Sequence, residues 1–92
     1  MNNQTEILEK AIESEAIPKI YFNGFINGAG NSDMIILLQS NGKPVAILNT
    51  SFTMAKTLAK RLLEVTSALE KESGNTIMET IEIEKALTGN QK

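Results

Sequence analysis

The chain contains neither cysteine nor histidine. The first absence removes disulfide frameworks, thiolate nucleophiles and Cys-based zinc or iron–sulfur sites. The second removes the commonest general base and the commonest transition-metal ligand. Tryptophan is missing too, and aromatic residues make up only 4% of the 92 positions. The longest wholly apolar run, Met34 to Leu38, has five residues, far short of the roughly 20 that a membrane-spanning helix needs. The opening MNNQTEILEK shows no basic n-region and no apolar h-region, so a cytoplasmic location without a membrane partner is expected. Only Asp, Glu, Lys and the single Tyr remain as acid–base candidates, and no pair of them stands at a recognisable catalytic spacing. Neither an enzyme nor a cofactor-dependent protein is expected.

What is present describes one small domain, 1–92, with 41% apolar and 22% charged residues and a net charge of −2. A monomer of this length buries only about 60–65% of the surface its unfolded chain exposes, so self-association is an early expectation. Charge is unevenly placed: residues 1–18 carry −3, residues 19–63 carry +4 and residues 64–92 carry −3. A basic middle can mark a nucleic-acid face, but the acidic flanks can equally neutralise it within one fold or across a subunit contact, and that plainer reading is preferred.

Three parts follow from the patterning: an N-terminal helix within 1–17, a core over 18–74 and an extension over 75–92 whose end is expected to be disordered. Thr5 to Ala16 has an apolar stripe of Ile7, Leu8, Ala11 and Ile12, with Glu6 four residues before Lys10, which predicts an amphipathic helix that Pro18 ends. Lys19 to Asn27 is aromatic and β-branched enough for a strand, with Gly24 marking a bulge or a close backbone approach. A second strand is expected from Met34 to Gln39. Asn41-Gly42 between two apolar runs predicts a type I′ hairpin into a third strand, and Pro44 places that strand at an edge. With a plain two-residue turn, Leu38 faces Val45, Ile36 faces Ile47 and Ile35 faces Leu48. One face of the hairpin is then Ile36, Leu38, Val45 and Ile47, and the other is Ile35, Leu37, Ala46 and Leu48. Both faces are apolar, although an antiparallel hairpin usually keeps one for water.

Ser51 to Ser73 reads as one long helix. Ala55, Leu58, Leu62, Val65 and Leu69 form its stripe, Thr50, Ser51 or Thr53 can cap its start, and Gly74 is placed to end it. Packing on the sheet is preferred to a coiled coil for a seam this short. After Gly74 an extended stretch through Glu79 and a short helix from Thr80 to Leu87 are expected, although Ile81 to Glu84 alternates like a strand.

Several patterns invite a chemical reading and carry a plainer one. Gly24, Gly28 and Gly30 match neither the dinucleotide fingerprint nor the P-loop and read as a strand connection. The overlapping Thr53-x-x-Lys56 and Thr57-x-x-Lys60 resemble an acyl-transfer spacing but use Thr and repeat along one helix, as a helix surface does. Glu79, Glu82 and Glu84 lack the tight loop of a calcium site, so no metal is expected. Asn49-Thr50-Ser51 matches a glycosylation acceptor and reads instead as a strand end and helix cap. Lys56, Lys60 and Arg61, with Tyr21, Phe22 and Phe25 on a strand, are the nucleic-acid candidates, set against lysines that solubilise a helix and aromatics that fill a core.

The run IYFNGF, the helix phrase from Thr50 that contains Ala55-Lys56 and Leu58 to Leu62, and the ending ALEKESG together resemble a small bacterial family known only as a domain of unknown function. Tyr21, Asn23, Gly24, Ser32, Asp33, Ala55, Lys56, Leu58, Glu70 and Gly74 stand at corresponding places, over roughly 60% of the chain from Pro18 to Gly74. Phe22 inside the opening phrase and the longer tail depart from the pattern. The resemblance implies a β-β-β-α core and brings no activity, cofactor or catalytic residue.

The expected fold is α+β: an N-terminal helix, a three-stranded antiparallel meander, one long helix packed on the sheet and a short C-terminal element. The expected role is a non-enzymatic homo-oligomer, a dimer first, acting as an interaction or scaffold module. Its contact is expected on either Ile35, Leu37 and Leu48 or Ile36, Leu38 and Ile47. Nucleic-acid binding through Lys56, Lys60 and Arg61 and a small-ligand pocket between subunits are the alternatives.

Overall fold

In the computed structural model, which describes residues 3–89, Asn41 and Gly42 both hold positive φ, 51° and 82°. These are the signs that a type I′ turn requires, and glycine and asparagine are the residues that adopt them at least cost. The turn joins β2 (Asp33–Ser40) to β3 (Lys43–Ser51), and β1 (Gly24–Ala29) pairs antiparallel on the other side of β2. The sheet order is β1-β2-β3. Pro44 therefore lies on an edge strand, as a residue without an N–H must.

The hairpin register differs from the plain two-residue alignment. Ser40 pairs with Lys43 and Gln39 with Pro44, but Leu38 pairs with Ala46, Leu37 with Ile47 and Ile36 with Leu48, with an irregularity between Leu38 and Gln39. Val45 is thus an extra residue in β3, a β-bulge. Proline's ring holds φ near −65°, away from the roughly −140° of an antiparallel strand, and the bulge beside Pro44 absorbs that mismatch. A one-residue slip moves side chains to the opposite face. Leu48 consequently joins Ile36 and Leu38, and Ile47 joins Ile35 and Leu37; the two expected groupings exchange these members.

The N-terminal helix α1 spans Asn3–Glu13, ending before the expected Ala16. Ser14 intervenes: its N–H still reaches the Lys10 and Ala11 carbonyls, while its hydroxyl oxygen accepts from the Ala16 N–H, a local turn that competes with the helix. The Lys19 ammonium donates to the Ser14 carbonyl at 2.6 Å, placing positive charge just beyond the helix's negative end. Residues 19–23 are not strand, so β1 begins five residues later than expected. The disorder expected at the chain ends concerns residues outside those described.

Helix α2 (Phe52–Ser73) follows β3 without a loop. Gly74 has φ 73° and its N–H donates to the Glu70 carbonyl, the left-handed stop that suits glycine. Residues 75–79 are irregular and α3 spans Thr80–Gly89. The Glu82 carboxylate accepts from the Glu79 N–H at 2.8 Å, the returning half of a capping box at the start of α3. The Glu70 carboxylate accepts from the Ile77 N–H at 2.8 Å, tying the connection back to α2.

The architecture is therefore α+β, with the expected element order. Two units emerge, Met1–Ser51 and Phe52–Lys92, and their boundary falls inside the 18–74 segment. The first holds α1 and the sheet, and the second holds the two later helices.

Candidate interaction site

Directly opposed residues share a sheet face, so the pairings sort the side chains of the first unit. Phe25, Ala29, Met34, Ile36, Leu38, Ala46 and Leu48 lie on one face, with Asn27 and Thr50 among them. Ile26, Ile35, Leu37 and Ile47 lie on the other, with Gly28, Asn49 and Ser51. Leu38, with three apolar cross-strand or same-strand neighbours, is the single buried hydrophobic residue among those described, at 6% exposure. Around it Phe25 stays 60% exposed, and on the opposite face Ile47 stays 63% exposed. All six interface candidates, Ile35, Ile36, Leu37, Leu38, Ile47 and Leu48, are on the hairpin as expected, divided by the bulge into Ile36, Leu38 and Leu48 against Ile35, Leu37 and Ile47.

The second unit repeats the condition on a helix. Leu58, Leu62, Val65 and Leu69 on α2 are exposed, as are Ile81, Ile83 and Leu87 on α3. In the first unit Ile7, Leu8 and Ile12 of α1 are exposed too. Single exposed leucines need no explanation, whereas apolar residues exposed in number along one element are the pattern that interaction surfaces show.

Asn23 was not singled out by sequence for any role beyond the family phrase, and the structure gives it one. Its side-chain amide donates to Asn41 Oδ1 at 2.9 Å, its Oδ1 accepts from the Asn41 N–H at 2.9 Å, and its own N–H donates to the Gln39 carbonyl. The approach to β1 is clamped onto the turn between β2 and β3. Asn-Gly recurs at 23–24, 27–28 and 41–42, and nothing in that repetition says that Asn23 and Asn41, 18 residues apart, meet.

Lys56, Lys60 and Arg61 do share one side of α2. Together with Thr53, Thr57 and Glu64 they line a shallow, open recess of about 400 Å³. Every wall comes from one helix, so the recess encloses nothing. Thr57 donates to the Thr53 carbonyl, which occupies its hydroxyl as a helix-surface group rather than a nucleophile. Arg61 is paired with Glu64 at 3.1 Å, leaving Lys56 and Lys60 without an ion pair among the described residues. Two free cations release counterions enough for a salt slope of only about −2 on a nucleic acid. Tyr21 and Phe22 precede β1 in irregular chain, and only Phe25 of the three aromatics is in the sheet. Among the described residues no three acidic side chains gather as a metal site, and no helix is long and apolar enough to cross a membrane.

Compared with family models, curated proteins and solved structures, the chain matches none. The reading of its function rests on its own residues.

Proposed function

We propose that the chain is a self-associating interaction module, a homodimer or higher homo-oligomer without catalytic activity. The observation that carries this reading is the burial of Leu38 alone among the described hydrophobic residues. Ordering a backbone costs about 1–2 kcal/mol per residue, while fully burying one large apolar side chain returns about 1.5–3 kcal/mol. The first unit by itself, a three-stranded sheet and a helix, cannot be held on one buried leucine. Folding is coupled to association when the missing core is completed by another surface, and stability then depends on protein concentration.

Light scattering coupled to size exclusion tests this. A mass of twice the chain or more at micromolar concentration, together with a melting temperature that rises with concentration, is the expected result. A cooperative monomer whose melting temperature is independent of concentration refutes it. The nucleic-acid alternative has a separate test: binding of single-stranded DNA or RNA at low salt that weakens in Lys60→Ala.

A further inference from the structure

We infer that two copies join through the β1 edge, pairing antiparallel about Asn27 into one six-stranded sheet of order β3-β2-β1-β1-β2-β3; this deepens the self-association reading and rests on it. The two edges of the sheet are not alike. β3 carries the features that discourage strand addition, with Lys43 and Pro44 at its start and a bulge at Val45. β1 has none of them: GFINGA contains no charge and no proline, and its register with β2 is continuous from Gly24 to Ala29. Among the described residues β2 is its only strand neighbour, and Phe25 to Ala29 are all exposed.

The hydrogen-bond pattern says which groups this edge offers. The Gly30 N–H donates to the Asp33 carbonyl at 2.8 Å, and bonded pairs recur at every second residue of an antiparallel ladder. Ile26 and Gly28 therefore direct their main-chain groups to β2, while Phe25, Asn27 and Ala29 direct theirs to the open side. An antiparallel partner strand must oppose outward groups to outward groups. Centring a two-fold axis on Asn27 does so, setting Phe25 against Ala29 of the second copy and Ile26 against Gly28, a large side chain against a small one on each face.

Gly28 supplies the independent observation. It sits inside a strand with no positive φ, and a Cβ built there meets nothing within 4 Å. Within the chain, a β-branched residue would fit and favour the strand. Glycine at such a position marks a close approach from outside, and the Ile26 side chain of a second copy is what the pairing brings there. Because the pairing keeps each face continuous across the axis, it joins the apolar faces of two sheets into one larger face on each side, and the missing core is completed when such paired sheets stack in the higher homo-oligomer.

The absence of cysteine makes the test direct. Asn27→Cys in the full chain, exposed to oxidised glutathione, should form a disulfide-linked dimer on a non-reducing gel, since bonded antiparallel pairs hold Cα atoms about 5.5 Å apart, within disulfide reach. Tyr21→Cys, exposed but outside β1, is the control and should cross-link at least tenfold more slowly. Gly28→Val should raise the dimer dissociation constant at least tenfold, and adding Ile26→Ala should recover most of that loss by restoring room. Cross-linking at Asn27 no faster than at Tyr21 overturns the β1 pairing even if the wild type is a dimer, in which case self-association stands on another surface. A wild type that is monomeric at every concentration overturns both.

Discussion

Replacing Asn23 by alanine removes both side-chain hydrogen bonds that join it to Asn41, each 2.9 Å long, and leaves the backbone of the turn in place. Both residues are exposed, so the amides lost to one another regain water and each bond counts near the lower part of the usual net range, about 0.5–1 kcal/mol. The sum is about 1–2 kcal/mol, which for a domain of this size lowers the melting temperature by roughly 5–15 °C. Asn23→Asp keeps the acceptor for the Asn41 N–H but loses the donor, and should fall between wild type and alanine. Asn41→Gly keeps a residue at ease with positive φ while deleting the Oδ1 that Asn23 donates to. A double-mutant cycle between Asn23→Ala and Asn41→Gly should therefore return a coupling of about 0.5–1 kcal/mol, the value of that one bond. Urea unfolding followed by circular dichroism, with all variants at one protein concentration, makes the measurement. An Asn23→Ala variant within 0.3 kcal/mol of wild type, or a coupling of zero, refutes the clamp as a stabilising contact.

Three further outcomes are expected. Leu38→Ala empties the one buried position and should cost about 2–5 kcal/mol, enough to abolish a cooperative thermal transition, which calorimetry would show. Gly74→Ala places a Cβ at φ 73° and should cost about 1–2 kcal/mol, read as an earlier loss of helical ellipticity on heating. Glu82→Ala releases the Glu79 N–H at the start of α3 and should cost about 0.5–1 kcal/mol locally, seen as faster amide exchange over residues 79–83 with β2 unchanged.

The order of elements was legible because its signals are local. A pair of residues tolerant of positive φ made the hairpin turn, a glycine at the end of a long apolar stripe stopped α2, and a proline confined β3 to an edge. The end of α1 was less so, because Ser14 offers the backbone a bond that stripe periodicity does not register. The start of β1 moved for a similar reason: Asn23 is held by the turn, and the ladder begins only after it.

The sequence by itself determined that this protein has no thiol or imidazole chemistry, that three strands and a long helix follow an N-terminal helix, and that its hairpin is apolar on both sides. Those properties belong to single residues and to neighbours along the chain. Only the tertiary structure decided which apolar residues share a face, since one extra residue at Val45 exchanges Ile47 and Leu48 between them. It alone brought Asn23 to Asn41 and showed open space over Gly28, because such meetings depend on how strands pair through space rather than on the residues beside them.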